Sequence, residues 1–441
     1  MKTGRKISWY LAASLLLGFA PPVTRAQAPK PLPTAPPPVP VLARHATNHR
    51  DWTVIVDLRL NGGQTQAPPG TINLAPTARI VLDAATIFFP IPVDSAIHQA
   101  WDDRLEGRID VAGRTVNDRP RLLTGYQSFT RLGAWDLHTI DANSVQLHIE
   151  TPMTSWEVTI DEARAARIDW PTKKWAEDIA ACLGPQLLVE SDAPPVTTLV
   201  DRWMRQSPGG LDASRTRPYI LAKYLCGRVV AHYQPASGAT ASTGRGRNTR
   251  HYSGALLSGF AVDGAAAAAE RGRGPEPDMA GLMVAAWRAA GIPSRLVIGY
   301  DIRAEDAASG AARGLTIAPT VRAWGEFYLF DETTGLGEWI PVDVQRQREF
   351  SSRPPPLAQA WKYFGNNEDA DYLCPMSFHW LPPTPCMNVG PPSLWGWVPQ
   401  PEGAAFVEPD MRVSAKAAAR RGDDPKRATP APGGSRPAKA D

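Results

Sequence analysis

Near Pro171 the hydrophobic period of this chain changes, and that change limits the possible folds more than any other feature. Before it, apolar residues recur at every second position. "DWTVIVDLRL" sets Trp52, Val54, Val56, Leu58 and Leu60 against Asp51, Thr53, Asp57 and Arg59, then meets the turn "NGG". A period of two turns one face of a strand toward a core. "SVQLHIETP" and "SWEVTID" alternate likewise through Val145, Leu147 and Ile149, then Trp156, Val158 and Ile160. "ATIFFPIP" is a more continuous apolar run closed by prolines. Residues 45–170 therefore read as an all-β, sandwich-like domain, in which His138 and His148 stand singly and read as structural.

Beyond Pro171 the spacing is helical. "TTLVDRWMRQ" and "RPYILAKYLCGRVVAHY" carry apolar residues at such intervals, with Pro218 suited to a first helical turn. In "GPEPDMAGLMVAAWRAAGIPSRLVIGY", residues 274–300, Met279, Leu282, Met283 and Ala286 fall at i, i+3, i+4 and i+7. Pro277 suits the first helical position and makes Glu276 the N-cap or its neighbour. Gly291 and Pro293 end the helix. "SRLVIGYDI", "VRAWGEFYLF" and "GEWIPVDV" then read as strands, the last two joined by "DETTGLG". Residues 171–390 are expected to be an α+β domain, helices packed on an antiparallel sheet.

A chain of 441 residues has room for two such domains and appendages. Lys2, Arg5 and Lys6 precede an apolar run from Trp9 to Ala20, and Ala26 and Ala28 follow at signal-peptidase spacing. Residues 1–28 thus read as a secretory signal, its apolar run short of the roughly 20 residues of a membrane span. The expectation is an exported bacterial protein, periplasmic or secreted, with no membrane span after cleavage. "PKPLPTAPPPVPVL" makes 29–44 an extended proline-rich linker. "PASGATASTGRGRNTR" reads as a surface loop. Residues 391–441 read as a C-terminal extension, disordered from about 402, where large apolar residues are scarce. A net charge of +3 gives nucleic-acid binding no support. Cys182, Cys226, Cys374 and Cys386 lack metal-site spacing and read as disulfide candidates or buried thiols, compatible with an oxidising compartment. No metal and no cofactor is expected.

The run from 274 onward resembles the transglutaminase-like superfamily, whose members share a papain-like core. Their pattern is a Gly-x-Cys-x-Asp turn, a buried helix, "RAxGIPxRxVxGY", a His-Ala-Trp strand and a Trp-x-Pro-x-Asp strand. "RAAGIPSRLVIGY" matches nearly letter for letter, "RAWGEFYL" stands at the histidine strand, and "WIPVD" at the aspartate strand. "YFGNNEDADYL" is similar to the segment after the core in bacterial members, "RPYILAKYLCGRVVAHY" to their leading helix, and "IFFPIP" to part of their N-terminal β domain. The resemblance covers roughly 190–385, and more faintly 50–170. By it, the nucleophilic cysteine falls on Glu276, the histidine on Arg322, and the aspartate is kept as Asp343.

Those replacements remove the acyl-transfer chemistry the resemblance implies. A thiolate is stabilised by a helix N-terminus and a neighbouring imidazole that also moves protons. Glutamate is a poor acyl acceptor, and an arginine that stays protonated cannot be a general base. The expectation is a degenerate triad, with Glu276, Arg322 and Asp343 joined in a salt-bridge cluster that fills the old cleft. The leading function is a non-catalytic binding or scaffolding module. Trp324, Tyr328, Trp339 and Tyr363 are candidates to line its cleft, and an extended peptide, a cell-wall fragment or a partner protein is the candidate ligand. The competing function is an active cysteine hydrolase, protease or cross-linker with relocated residues, in which Cys226 or Cys374 beside His379 supplies the thiol. A hydrolase built on Glu276 and Asp278 ranks third.

Overall fold

Strand β1 (Leu42–Gly62) shows how the alternating pattern is used. In the computed structural model of the chain, Trp52, Val54, Val56, Leu58 and Leu60 are all buried. The structure describes residues 38–62, 79–92, 94–101, 104–123, 130–207, 210–235, 262–302, 320–381, 395–401 and 407–417. The segment expected to be a secretory signal, residues 29–37 of the expected linker, the arginine-containing loop after Pro235 and Cys386 lie outside them. Residues 42–44, expected as linker, instead begin β1 and pair with β8 from Leu42↔Ile160. Residues from Pro40 onward cluster as one unit.

The other strands of the N-terminal half are β2 (Ile80–Ile91), β3 (His98–Ala100), β4 (Glu106–Val111), β5 (Arg114–Asn117), β6 (Arg121–Leu123), β7 (Arg131–Ala142) and β8 (Ser144–Ile160). They divide between two antiparallel sheets. One runs β16-β1-β8-β4-β5 with β3 on β8, the other β15-β2-β7-β6, where β15 is Gly396–Gln400 and β16 is Val407–Ala417. Trp135 on β7 lies against Gly107 on β4, where a Cβ would stand 2.7 Å from the indole. The sheets thus meet face to face through an aromatic ring that only glycine admits.

The expectation of a free tail from about 402 is corrected over 407–417. These residues pair with β1 from Trp52↔Ala417 to Gly62↔Val407. Their low apolar content misled, because an edge strand buries one face only. Val407, Met411, Val413 and Ala415 alternate inward and are enough. β15 pairs with β2 in the same way, so the sandwich draws strands from both ends of the sequence.

Helices α1 (Glu162–Ala165), α2 (Glu177–Ala180), α3 (Pro194–Gln206), α4 (Pro218–His232) and α5 (Ala265–Arg271) lead to α6 (Glu276–Ala289). A two-residue parallel pairing of β9 (Gln234–Pro235) and β10 (Arg273–Gly274) ties the end of α4 to the entry of α6. After α6 comes the sheet β13-β12-β11-β14, made of β11 (Ser294–Asp301), β12 (Thr320–Asp331), β13 (Leu336–Val342) and β14 (Leu373–Ser377), with α7 (Val344–Phe350) following β13. Pro275 is the N-cap of α6, one residue earlier than the proline argument placed the start. At its far end Gly291 has φ +84°, its N–H donates to the Arg288 carbonyl, and Ile292 N–H donates to the Trp287 carbonyl. This is the Schellman closure that glycine permits.

α6 lies on the sheet at Gly325, where a Cβ would meet Met283, Trp287 and Val284. The sandwich is stitched to this core by buried polar contacts. Trp52 Nε1 donates to the Asp371 carbonyl at 2.7 Å, and Ser155 Oγ to the Leu373 carbonyl at 2.7 Å. Glu338 accepts the Val41 N–H at 2.6 Å, and Glu326 accepts the Ala96 N–H at 3.1 Å. Fold and pattern agree: helices on an antiparallel sheet, preceded by a β-rich region.

Candidate functional site

Glu276 opens α6 as its first helical residue, half-buried, its carboxylate near the positive end of the helix. Burial pushes its carboxyl pKa up, and the Glu349 carboxylate adds to this while Arg322 opposes it. Two residues on, Asp278 is buried and holds the turn in place. Its carboxylate accepts the Asp263 N–H at 3.0 Å and the Gly264 N–H at 3.1 Å. Burial pushes its pKa up to about 7, against those backbone donors. Tyr233 Oη donates to the Pro275 carbonyl at 2.8 Å. The approach to α6 is thus fixed on both sides of Glu276.

Arg322, on β12, is where the ionic structure centres. Its Nε donates to Asp343 Oδ2 at 2.9 Å and its Nη1 to Asp301 Oδ2 at 3.1 Å, while Glu349 lies 3.5 Å from Nη2. Burial works against the guanidinium's charge, but the carboxylates of Asp343, Asp301 and Glu349 outweigh it and raise its pKa. Arg346 completes the group, with Nη2 3.0 Å from Asp301 Oδ2 and Nη1 3.0 Å from Asp369 Oδ2. Asp343 also caps α7, accepting the Arg346 N–H at 2.9 Å.

The salt-bridge cluster therefore exists with a different membership. Arg322 and Asp343 are in it as expected, but Glu276 forms no ion pair with Arg322. Asp343, Asp301 and Glu349 already occupy the guanidinium at 2.9, 3.1 and 3.5 Å, and these three take the places Glu276 was expected to share. Asp301 and Arg346 were missed by the sequence reading. Arg346 carried a signal, since it stands three residues after a capping aspartate. Asp301 had only its place at the end of an apolar strand.

Three of the expected cleft-lining aromatics, Trp324, Tyr328 and Trp339, lie on the sheet itself. Trp324 is buried, and a Cβ on Gly299 would fall 2.8 Å from its ring. Tyr328 and Trp339 are cross-strand partners with ring centroids 5.1 Å apart, and Trp175 stands 6.1 Å from Tyr328. Gly325 and Phe327 face α6, so strand alternation turns Tyr328 and Trp339 to the other face of the sheet. Tyr363 does lie beside the cluster, its carbonyl accepting the Asp343 N–H at 3.0 Å, its ring 6.4 Å from Phe350.

The three described thiols are all buried. Cys226 and Cys374 are free and fully buried, and no disulfide forms among the described residues. Burial, with Asp343 near Cys226 and Asp301 near Cys374, pushes both thiols well above their ordinary range. The disulfide expectation is corrected for these two: Cys226 sits mid-helix in α4 and Cys374 in β14, each packed inside the core. Cys182 is buried too, its Sγ 3.7 Å from the Asp178 carbonyl. Among the described residues no group of three or more His, Cys, Asp or Glu could hold a metal ion, and no helix is long and apolar enough to cross a membrane.

No curated protein matches the chain. A structure from Cytophaga hutchinsonii, described as a candidate cysteine protease, is 14% identical with a TM-score of 0.46, over 86% of this chain and 93% of its own. A candidate protease from Parabacteroides distasonis is 11% identical with a TM-score of 0.20, over 59% of this chain and 43% of its own. The model of the transglutaminase-like superfamily matches residues 228–344, a span that contains Glu276, Arg322 and Asp343. With helix α6 on its antiparallel sheet, this part of the chain is a transglutaminase-like core.

Proposed function

We propose that this protein is exported and uses its transglutaminase-like core as a non-catalytic binding module. The reading rests above all on Arg322, whose guanidinium is held between Asp343 and Asp301 on the strand where the superfamily pattern has its histidine. A group kept protonated by two carboxylates cannot accept a proton from a nucleophile. Glu276, at the helix start where the pattern has its cysteine, is a far weaker acyl acceptor than a thiolate. Against a relocated cysteine stands the full burial of Cys226 and Cys374. An extended peptide, a cell-wall fragment or a partner protein is the candidate ligand.

The test is ammonia release from a glutamine-containing peptide, measured on the native chain and on the Glu276→Cys, Arg322→His double variant. Silence of the native chain with turnover by the variant supports a site that is intact but lacks its reactive groups. Turnover by the native chain that disappears in Glu276→Gln overturns the proposal in favour of a carboxylate-based enzyme.

A further inference from the structure

β16 is the last strand of its six-stranded sheet, and among the described residues no strand pairs with its outer edge. Val407, Pro409, Met411, Val413 and Ala415 are buried on the inner face, while Asp410, Arg412, Ser414 and Lys416 alternate outward. The outward row is polarised, acidic at Asp410 and basic at Arg412 and Lys416. The Asp410 and Arg412 side chains are 44% and 76% exposed, and their contact within the strand is long at 3.9 Å. Arg59 and Asp57 of β1 stand opposite them in the ladder, and the exposure leaves each able to meet a second partner across the free edge. Pro409 lies opposite Leu60 in the ladder with β1. Proline has no N–H, so it fits an antiparallel ladder where that group would point off the sheet. By alternation Met411, Val413 and Ala415 then present both N–H and C=O to the free edge.

We infer that this edge pairs antiparallel with the same strand of a second copy of the chain, in a two-fold register centred on Met411. Met411 faces Met411 and the two exchange N–H···O=C bonds. Pro409 faces Val413 and Val407 faces Ala415, which keeps the apolar rows of the two sandwiches continuous. On the outer face Asp410 of one protomer faces Arg412 of its partner, twice by symmetry, and unlike charges directly opposite are favourable. A parallel pairing in matched register sets Asp410 against Asp410. Sliding the partner by two residues sets Arg412 against Arg412. Proline and charge ordinarily blunt an exposed edge. Here Pro409 withholds one donor per chain, and the order of the charges penalises other registers.

The experiment is sedimentation velocity on the full chain across a concentration series, with the Asp410→Arg and Arg412→Asp variants alone and mixed. The native chain is expected to form a dimer. Each single variant places like charges opposite one another and is expected to dimerise at least about tenfold more weakly, roughly 1.4 kcal/mol. An equimolar mixture of the two restores opposite pairs and is expected to recover a dimer with one chain of each kind. Matching thermal melts show that the sandwich stays folded. A native chain that stays monomeric throughout, single variants that dimerise as tightly as the native chain, or a mixture that stays monomeric each overturns the assignment.

Discussion

At the scale of single residues, buried charge decides what this core can do. Arg322 satisfies two buried carboxylates, and Arg322→Met would leave Asp301 and Asp343 short of a partner, with Arg346 compensating in part. The expected loss is about 3 kcal/mol in urea-induced unfolding, the lower end for breaking a buried pair. The arginines of "RAAGIPSRLVIGY" have structural work of the same kind. Arg288 donates to the Ser294 and Gly184 carbonyls, both at 2.8 Å, and Arg295 is paired with Glu326 at 2.6 Å. His98 sets a pH limit. Ser95 Oγ accepts the Ile97 N–H at 3.2 Å and lies 2.8 Å from His98 Nδ1. The other ring nitrogen, Nε2, is buried with no hydrogen-bond partner among the described residues. Burial, reinforced by Arg44 and Arg295, pushes the His98 pKa down to about 3. Between about 6.5 and 3 the unfolded chain binds the proton that the folded chain refuses, so this contribution is complete above about 6.5 and is lost on acidification. Comparing urea unfolding of the native chain and His98→Gln from pH 7 to 4 should show a shallower loss in the variant, by up to about 1.4 kcal/mol per pH unit.

At the scale of elements, the close approach of α6 to its sheet depends on glycine. A methyl at Gly325 would press on the flexible end of Met283, whereas one at Gly299 would strike the Cys374 backbone carbonyl and the Trp324 ring. Gly325→Ala is expected to cost about 1 kcal/mol and Gly299→Ala about 3 kcal/mol or more, since a side chain can yield and a paired strand cannot. Thermal melts of the two variants check the order. The elements themselves were legible: α6, β11, β12 and β13 stand where period, proline and glycine put them, because these signals act within a turn or two of chain. The facing of side chains across the sheet was less so. Tyr328 and Trp339 read as cleft aromatics until the register with β13 and the position of α6 showed which face they occupy.

At the scale of the whole molecule, the sandwich and the core share their stability. Strands β15 and β16 cover the edges of β2 and β1, and the Asp371, Leu373, Glu326 and Glu338 contacts join the sandwich to the core sheet. Truncation before Trp395 should expose long edges of both sheets and leave Trp395 and Trp397, both fully buried, without replacement. The expected result is loss of the cooperative melt and aggregation, read by light scattering during a thermal ramp. A truncated chain that melts like the native one would show that the sandwich closes without its last two strands.

By itself the sequence determined the class of each half and the site of α6 and its strands. Those follow from spacing and from the intrinsic properties of side chains, which need no knowledge of distant partners. The tertiary structure alone decided that Arg322 turns to Asp301 and Arg346 rather than to Glu276, and that a polar-looking C-terminal stretch is a strand. Both depend on which residues far apart in the chain come within a few ångströms of one another. Local pattern carries no record of that.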